Sequence, residues 1–256
     1  MRGRWSWLAL GGGAYLAFLL TAFPAGTAYR WFAPADVELS GLSGTLWSGG
    51  AAAGSIGRFP VRDFRWRLRP WSLLLGRIGA QLDARLPDGV LTAQVTATPS
   101  CVVFADLRFS TSIPSLQEVL PIRGVEGLIS VALTRLELER GWPTKVIGDV
   151  RLTQIQVPPL LYGGAPQLLP LGDYTLRFAE GSGQRVAASI RDDGGGGPFE
   201  VAGTLALDAG RAYAFDALIK PRAGASDALV QGLVAMSADL DPDPQGRYRL
   251  TLMGTL

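Results

Sequence analysis

The stretch DFRWRLR, residues 63–69, alternates strictly between polar and large apolar side chains. Phe64, Trp66 and Leu68 occupy every second position, with an arginine after each of them. Because successive side chains of a β-strand point to opposite faces, this period of two predicts a strand with one face buried and one face in water. The arginine row fits a solvated outer face better than a surface for phosphate groups.

The same alternation recurs along the rest of the chain, interrupted by turn residues such as Pro87-Asp88-Gly89. It predicts about ten to twelve strands, and tight turns of this kind connect antiparallel neighbours. Short helices are expected at 114–120 and 226–238, and a shift of phase predicts a bulge near Thr134-Arg135. The predicted fold class is mainly β: a long curved antiparallel sheet, forming an open groove or half-barrel, with two short helices. The pattern leaves a closed barrel and a sandwich open as alternatives.

The apolar residues that share one phase predict a single apolar face. This face is either an ordinary core closed by a helix or a groove that shields acyl chains, where each buried CH₂ would contribute ~0.8 kcal/mol. The candidate residues of the face are Phe64, Trp66, Leu68, Ile78, Leu82, Tyr174, Leu176, Phe178, Phe199, Val201, Tyr213, Phe215, Tyr248 and Leu250.

Upstream of the strands, Trp5–Tyr29 contains no charged residue. A helix of this length covers roughly 37 Å, more than the ~30 Å hydrocarbon core of a bilayer. Arg2 and Arg4 precede it, and positive flanks stay in the cytoplasm. We therefore expect a cytoplasmic flank at 1–4, one transmembrane helix at 5–29, a linker at 30–36 and a periplasmic β domain at 37–256. A signal peptide cleaved near Gly26-Thr27-Ala28 is the alternative.

The composition excludes several classes of function. The chain has no histidine and one cysteine, Cys101, so Ser-His-Asp and Cys-His catalytic sites and an intrachain disulfide are all excluded. A formal net charge of +2 does not indicate a nucleic-acid partner. Asp192-Asp193 lies in a Gly-rich tip and is interpreted as a solvated loop. The Asp241/Asp243 pair resembles a calcium loop, but no bidentate Glu follows it, so calcium is not predicted. No enzyme activity, cofactor or metal is predicted, and Cys101 is expected to be a buried structural thiol.

Three segments carry a family resemblance. GLSGTLWSGGA (41–51) resembles the signature of the type II secretion system protein N family, also called general secretion pathway protein N. WRLRPWSLLLGRIGAQL (66–82) looks like the next block of that family, and DPQGRYRLTLMGTL (243–256) is similar to its ending. The signature positions in this chain are Gly44, Thr45, Trp47 and Gly49.

The resemblance implies a single-pass inner-membrane protein of a Gram-negative bacterium, part of the apparatus that exports folded proteins from the periplasm across the outer membrane. It implies contact with the C, L and M components of the inner-membrane platform, and it carries no catalytic motif. The family looks distantly similar to AsmA-type proteins, whose β-sheets form lipid-holding grooves. The resulting hypotheses are a non-catalytic assembly or scaffold component and, as the alternative, a lipid-binding or lipid-transfer protein.

Overall fold

Fourteen antiparallel strands form one sheet in the computed structural model. The structure describes residues 11–13, 15, 18, 19, 21–32, 37–57, 59–86, 88–116, 124–158, 168–180, 185–194, 196–208, 210–237 and 241–255. The strands are β1 Val37–Ser40, β2 Ser43–Gly44, β3 Ser48–Ile56, β4 Phe59–Arg69, β5 Ile78–Leu86, β6 Gly89–Ala97, β7 Cys101–Ser112, β8 Glu126–Glu139, β9 Trp142–Val157, β10 Leu169–Phe178, β11 Val186–Asp192, β12 Phe199–Leu207, β13 Ala212–Pro221 and β14 Tyr248–Thr255.

From β3 onward each strand pairs with the next strand of the chain, and β1 pairs with β3 while β2 forms a small hairpin on β3. In the described part of the chain β1 and β14 do not pair with each other, so the sheet is open. The prediction of a mainly β protein with a long antiparallel sheet is therefore confirmed. The additional strands lie in the Gly/Ser-rich segment 37–57, whose weak apolar alternation concealed them.

Beside the sheet, and apart from the helical residues at 11–21, the described part of the chain contains α1 Ala25–Phe32, α2 Pro70–Leu73, the 3₁₀ turn Pro114–Leu116 and α3 Asp227–Met236. The helix expected at 226–238 is confirmed as α3. Of the helix expected at 114–120 the structure contains the 3₁₀ turn, and residues 117–120 lie outside the described residues.

The N-terminal segment has helical residues up to Thr21, departs from helical geometry at Ala22–Pro24 and becomes helical again in α1. Ala25 and Ala28 of α1 are buried. Of the predicted span 5–29, residues 5–10, 14, 16, 17 and 20 lie outside the described residues. Within the described residues, every helix is too short or too polar to cross a bilayer.

Bulges bend the sheet at several places. Asp63 and Asp106 adopt left-handed backbone conformations (φ 47° and 50°), and the strand register shifts beside each of them. The bulge predicted near Thr134-Arg135 is confirmed by the shift between Leu133 and Arg135. The bulge at Asp106 also reverses the phase of early β7 relative to the simple alternation that ends at Leu107 and Phe109, so that Phe104, and not Val103, lies on the apolar face. Each extra residue increases the local twist and bends its strand.

Candidate functional site

The apolar face predicted from the alternation is continuous across the sheet in the structure. Directly paired residues of antiparallel strands lie on the same face, and a series of such pairs, joined within β6 by the alternate residues Ala93 and Leu91, runs from β4 to β14. The series runs Trp66–Leu82–Ala93 in the first strands and Leu176–Ile190–Gly203–Ala217–Leu250 in the last ones, with Leu91–Phe109–Val131–Val150 between them. All fourteen candidate residues lie on this face of the sheet.

Six of the candidates surround one cavity of about 350 Å³ in the C-terminal half. They are Tyr174, Leu176, Phe199, Val201, Phe215 and Leu250. Seven further residues line the cavity and were not among the candidates: Leu152, Leu171, Ile190, Ile219, Leu229, Leu233 and Met236. Ile190 and Ile219 continue the same alternation, so the pattern could have identified them. The cavity wall is formed of apolar side chains, with the Tyr174 hydroxyl donating to the Leu171 carbonyl at 2.7 Å.

Helix α3 covers this cavity. Leu229 and Leu233 are 3% and 6% exposed, and both belong to the C-terminal core cluster with Phe199 and Val201. Residues four apart lie on the same side of a helix, which explains why both leucines face the sheet. Met236 lines the cavity but is 55% exposed, so it lies at the rim. The apolar side of α3 therefore packs on the apolar face of the sheet.

The remaining candidates lie elsewhere on the same face. Phe178 packs against a separate cluster around Leu133, Val146 and Val186, and Tyr248 packs against the C-terminal cluster. Phe64 and Trp66 contact each other with ring centroids 5.9 Å apart. Leu68 and Leu82 lie beside them in β4 and β5, and Tyr213 lies against Gly254. Ile78 is more than half exposed, which is unusual for an isoleucine on an apolar face.

An ion pair between Arg222 and Asp192 lies in the C-terminal half of the sheet, which α3 covers. The Arg222 guanidinium contacts the Asp192 carboxylate and also donates to the carbonyls of Gly197 and Phe199. Burial alone raises the pKa of Asp192, but a hydrogen bond from the Val201 N–H and the contact with Arg222 outweigh it and hold the pKa below its usual range. Arg222 and Leu229 line a second cavity of about 340 Å³ beside the first.

The family-signature residues build a tight hairpin between β2 and β3. Gly44 has φ +85°, and a Cβ on it would lie 2.5 Å from the Ser48 carbonyl oxygen. The Thr45 N–H donates to that same carbonyl at 2.9 Å, and a Cβ on Gly49 would meet the Trp66 ring at 2.5 Å. Trp47 accepts a hydrogen bond from the Leu68 N–H at 2.7 Å. Gly44 and Gly49 therefore leave no room for a larger residue. At Gly49 the obstacle is Trp66 of the neighbouring strand β4.

The same hairpin receives the N-terminal segment. Pro24 forms an isolated bridge with Thr45, and the Leu46 N–H donates to the Phe23 carbonyl at 2.8 Å. Further along, the Tyr29 hydroxyl donates to the Val37 carbonyl at 2.6 Å and accepts from the Leu39 N–H at 3.0 Å. Tyr29 thereby satisfies two backbone groups of the β1 edge. Tyr29 was predicted as the last residue of the transmembrane helix, and its contact with the sheet was not predicted.

Asp243 and Cys101 have neighbours that shift their pKa values in opposite directions. Asp243 accepts hydrogen bonds from the Arg247 guanidinium and from the backbone of Gln245 and Arg247, which hold the pKa of Asp243 below its usual value. Burial raises the pKa of the Cys101 thiol, and the charges of Glu137 and Glu139 raise it further. Among the described residues, no group of three metal-ligating side chains occurs.

Comparison with known proteins gives one consistent result. The family model described as type II secretion system (T2SS), protein N, matches residues 35–251. A protein of Aeromonas hydrophila named type II secretion system protein N is 28% identical over 256 residues, which is 95% of each chain. A protein of the same name from Vibrio cholerae serotype O1 is 27% identical over 235 residues, 87% of this chain and 86% of that one. No solved structure matches the chain.

Proposed function

This chain belongs to the type II secretion system protein N family, and we propose that it serves the secretion system as a non-catalytic scaffold of the inner-membrane platform. In that role it supports export of folded proteins from the periplasm across the outer membrane. The single observation that carries the proposal is the open sheet, which ends in two edges of different character.

The β1 edge is occupied and the β14 edge is available. Tyr29 bonds two backbone groups of β1, whereas β14 pairs with β13 on one side and with no strand on its other side in the described part of the chain. Leu252 and Met253 of β14 are exposed. An extended segment of a partner can add to such an edge through backbone hydrogen bonds, with side chains setting specificity. The proposed partners are the C, L and M components.

The proposed topology places the N-terminus in the cytoplasm and the sheet in the periplasm. Arg2 and Arg4 precede an uncharged stretch, and positive flanks stay cytoplasmic. Because Ala25 and Ala28 are buried in the protein, the proposed span runs from Trp5 to about Ala22, near the lower limit of roughly 17 residues for crossing. Alkaline phosphatase fused after Leu256 should be active, since it requires the periplasm. An inactive fusion would contradict this topology.

Export assays test the scaffold role. Deleting the gene should reduce export of the secreted proteins, and the wild-type gene should restore it. Met253→Lys places a charge on the β14 edge and should restore export poorly, because edge charges oppose strand addition. Val90→Lys, at a half-exposed position of the interior strand β6, is the matched control and should restore export fully. Undiminished export after deletion, with an unchanged platform, would refute the proposal.

Lipid binding is a second candidate function, favoured by the cavity beneath α3. Its volume of about 350 Å³ and its apolar wall are within the usual range of ~300–1,000 Å³ for ligand pockets. Mass spectrometry of lipid extracted from the purified chain tests this candidate. Leu176→Trp should fill the cavity and lower the amount of bound lipid, whereas the exposed Met253→Trp should not. A lipid-free wild-type preparation would exclude it.

A further inference from the structure

The turn between β4 and β5 exposes a group of large apolar side chains. Trp71, Leu74 and Leu75 are 78%, 79% and 74% exposed, and Leu73 and Ile78 beside them are also exposed. Soluble proteins rarely leave so many apolar side chains together in water, and such patches indicate a contact with a membrane or a partner. The turn comprises α2 and residues 74–77, and we refer to residues 71–75 as the apolar turn.

The apolar turn is held in a defined conformation. The Ser72 hydroxyl donates to the Arg69 carbonyl at 2.6 Å and accepts from the Gly79 N–H at 2.9 Å, so it joins the ends of both strands. The Ser72 carbonyl accepts hydrogen bonds from the N–H groups of Leu75 and Arg77 at 3.1 and 3.0 Å. These bonds hold the backbone, and the leucine and tryptophan side chains project from a folded turn.

The apolar turn lies at the same end of the sheet as the N-terminal apolar segment. That segment reaches the sheet where Phe23 and Pro24 contact the β2–β3 hairpin. The same hairpin bonds Leu68, two residues before the turn begins, through the Trp47 carbonyl at 2.7 Å. Tyr15 and Phe18 of the N-terminal segment are themselves exposed. The two apolar features therefore leave the sheet side by side.

Charge favours a lipid surface over a protein partner. Between Asp63 and Asp83 the chain contains four arginines and no acidic residue. Two of them, Arg69 and Arg77, flank the apolar turn directly. Basic residues near a membrane are attracted to anionic lipid phosphates, by roughly 1 kcal/mol each, and tryptophan prefers the headgroup region. Leucine beyond the tryptophan would enter the hydrocarbon.

We propose that the apolar turn inserts into the periplasmic leaflet of the membrane that the N-terminal segment enters. This inference rests on the proposed topology. The chain then has two neighbouring attachments, which hold the β2–β5 corner of the sheet at the lipid surface and direct the opposite ends of these strands away from it. A single flexible anchor would leave the orientation of the sheet free.

Site-specific fluorescence tests the insertion in the full-length chain. A Cys101→Ser background leaves no other thiol, and an environment-sensitive NBD label is attached in turn through Leu74→Cys, Phe18→Cys and Val90→Cys. Each protein is reconstituted in vesicles of phosphatidylethanolamine and phosphatidylglycerol, with and without nitroxide-labelled lipid. Val90 is the matched control, because it is exposed and lies at the other end of the β5–β6 hairpin, roughly 23 Å away.

The expected result is strong nitroxide quenching and a blue-shifted emission at position 74, with neither effect at position 90. A label at position 74 that behaves like the one at position 90 overturns the insertion. The label at position 18 then distinguishes failure of the insertion from failure of the proposed membrane anchor. If this label is quenched, only the insertion fails. If it is not quenched, the proposed anchor fails as well. Equal thermal unfolding of the three variants excludes misfolding as the cause, since all three positions are exposed.

Discussion

In the C-terminal half of the sheet, strands β10–β14 bury Ile190, Phe199 and Val201 beneath two leucines of α3. In the N-terminal half, the buried positions of β3, β5 and β6 are mainly alanines, while Phe64 and Trp66 are only partly buried and Ile78 is 53% exposed. Both halves have the same apolar alternation. They differ in their connections: residues 222–247 join β13 to β14 and include a helix, whereas residues 87 and 88 alone join β5 to β6.

A long connection can return across the face of a sheet and cover it, and a two-residue turn cannot. Large apolar side chains can therefore be buried beneath α3. In the described part of the chain no helix covers the face of β3–β6, where the buried positions are mainly alanines and the large residues Phe64 and Trp66 are only partly buried. The comparison indicates that the C-terminal half supplies the stability of the fold.

The largest expected difference concerns two phenylalanines on the same face. Phe199→Ala should lower the free energy of unfolding by about 3–5 kcal/mol, because its ring is buried in the C-terminal cluster. Phe64→Ala should lower it by less than half as much, because Phe64 is only partly buried. Urea unfolding of the full chain in a mild detergent measures both. Equal losses would contradict the distinction between the two halves.

Helix α3 offers a comparison within one element. Leu233→Ala should lower the free energy of unfolding by about 2–5 kcal/mol, because it removes a buried side chain from the cover of the cavity. Met236→Ala, one turn away at the exposed rim, should change it by about 0.5 kcal/mol. Denaturant midpoints give both values. A large loss at Met236 would mean that the cover extends further than the buried leucines.

Two ion pairs provide a smaller test that depends on pH. Because the folded-state pKa of Asp192 is lowered, its contribution is complete above the unfolded value of ~3.9 and is lost as the pH falls through the folded value. Asp192→Asn should cost about 1.5–3 kcal/mol at pH 7 and should flatten the fall in stability below pH ~5.

The control for Asp192 lies in the other half. Asp63 and Arg85 form a pair at 3.3 Å with both side chains more than half exposed. Asp63→Asn should therefore leave the free energy of unfolding nearly unchanged, because exposed pairs contribute little. Thermal unfolding of both variants between pH 3 and pH 7 makes the comparison. A similar pH dependence in the two variants would be incompatible with it.

The smallest effect is expected at Ile78. Ile78→Thr should change the free energy of unfolding by about 0.5 kcal/mol or less, because the side chain is already largely in water. Ile190→Thr, on the same face in the covered half, buries a hydroxyl in an apolar cluster and should cost about 1–3 kcal/mol. If Ile78→Thr were as costly, another group would have to cover the N-terminal half in solution.

Much of the fold was predictable from local pattern. The period of two predicted the strands, the shared face and the bulge near Thr134, because each is a property of consecutive residues. The pattern failed in β7, where the extra residue at Asp106 reversed the phase before Phe104. It also concealed β1–β3, where glycines pack against Trp66 and Leu39 and no large residue marks the alternation.

The candidate site was predictable in part. The alternation identified six of the residues around the cavity, but Leu229 and Leu233 approach from a helix far along the chain. The Tyr29 contact with β1 and the Arg222–Asp192 pair were likewise not foreseen. Each joins residues whose proximity depends on how separate elements pack, and a linear pattern carries no record of that packing.

By itself the sequence determined that the chain forms antiparallel strands with one apolar face, that its N-terminal segment is uncharged, and that it resembles the protein N family. Only the tertiary structure decided which half of that face is covered, which sheet edge Tyr29 occupies, and that the apolar turn lies beside the N-terminal segment. The reason is physical. Side-chain alternation follows from the geometry of a single strand, whereas coverage depends on contacts between residues that are distant in the chain.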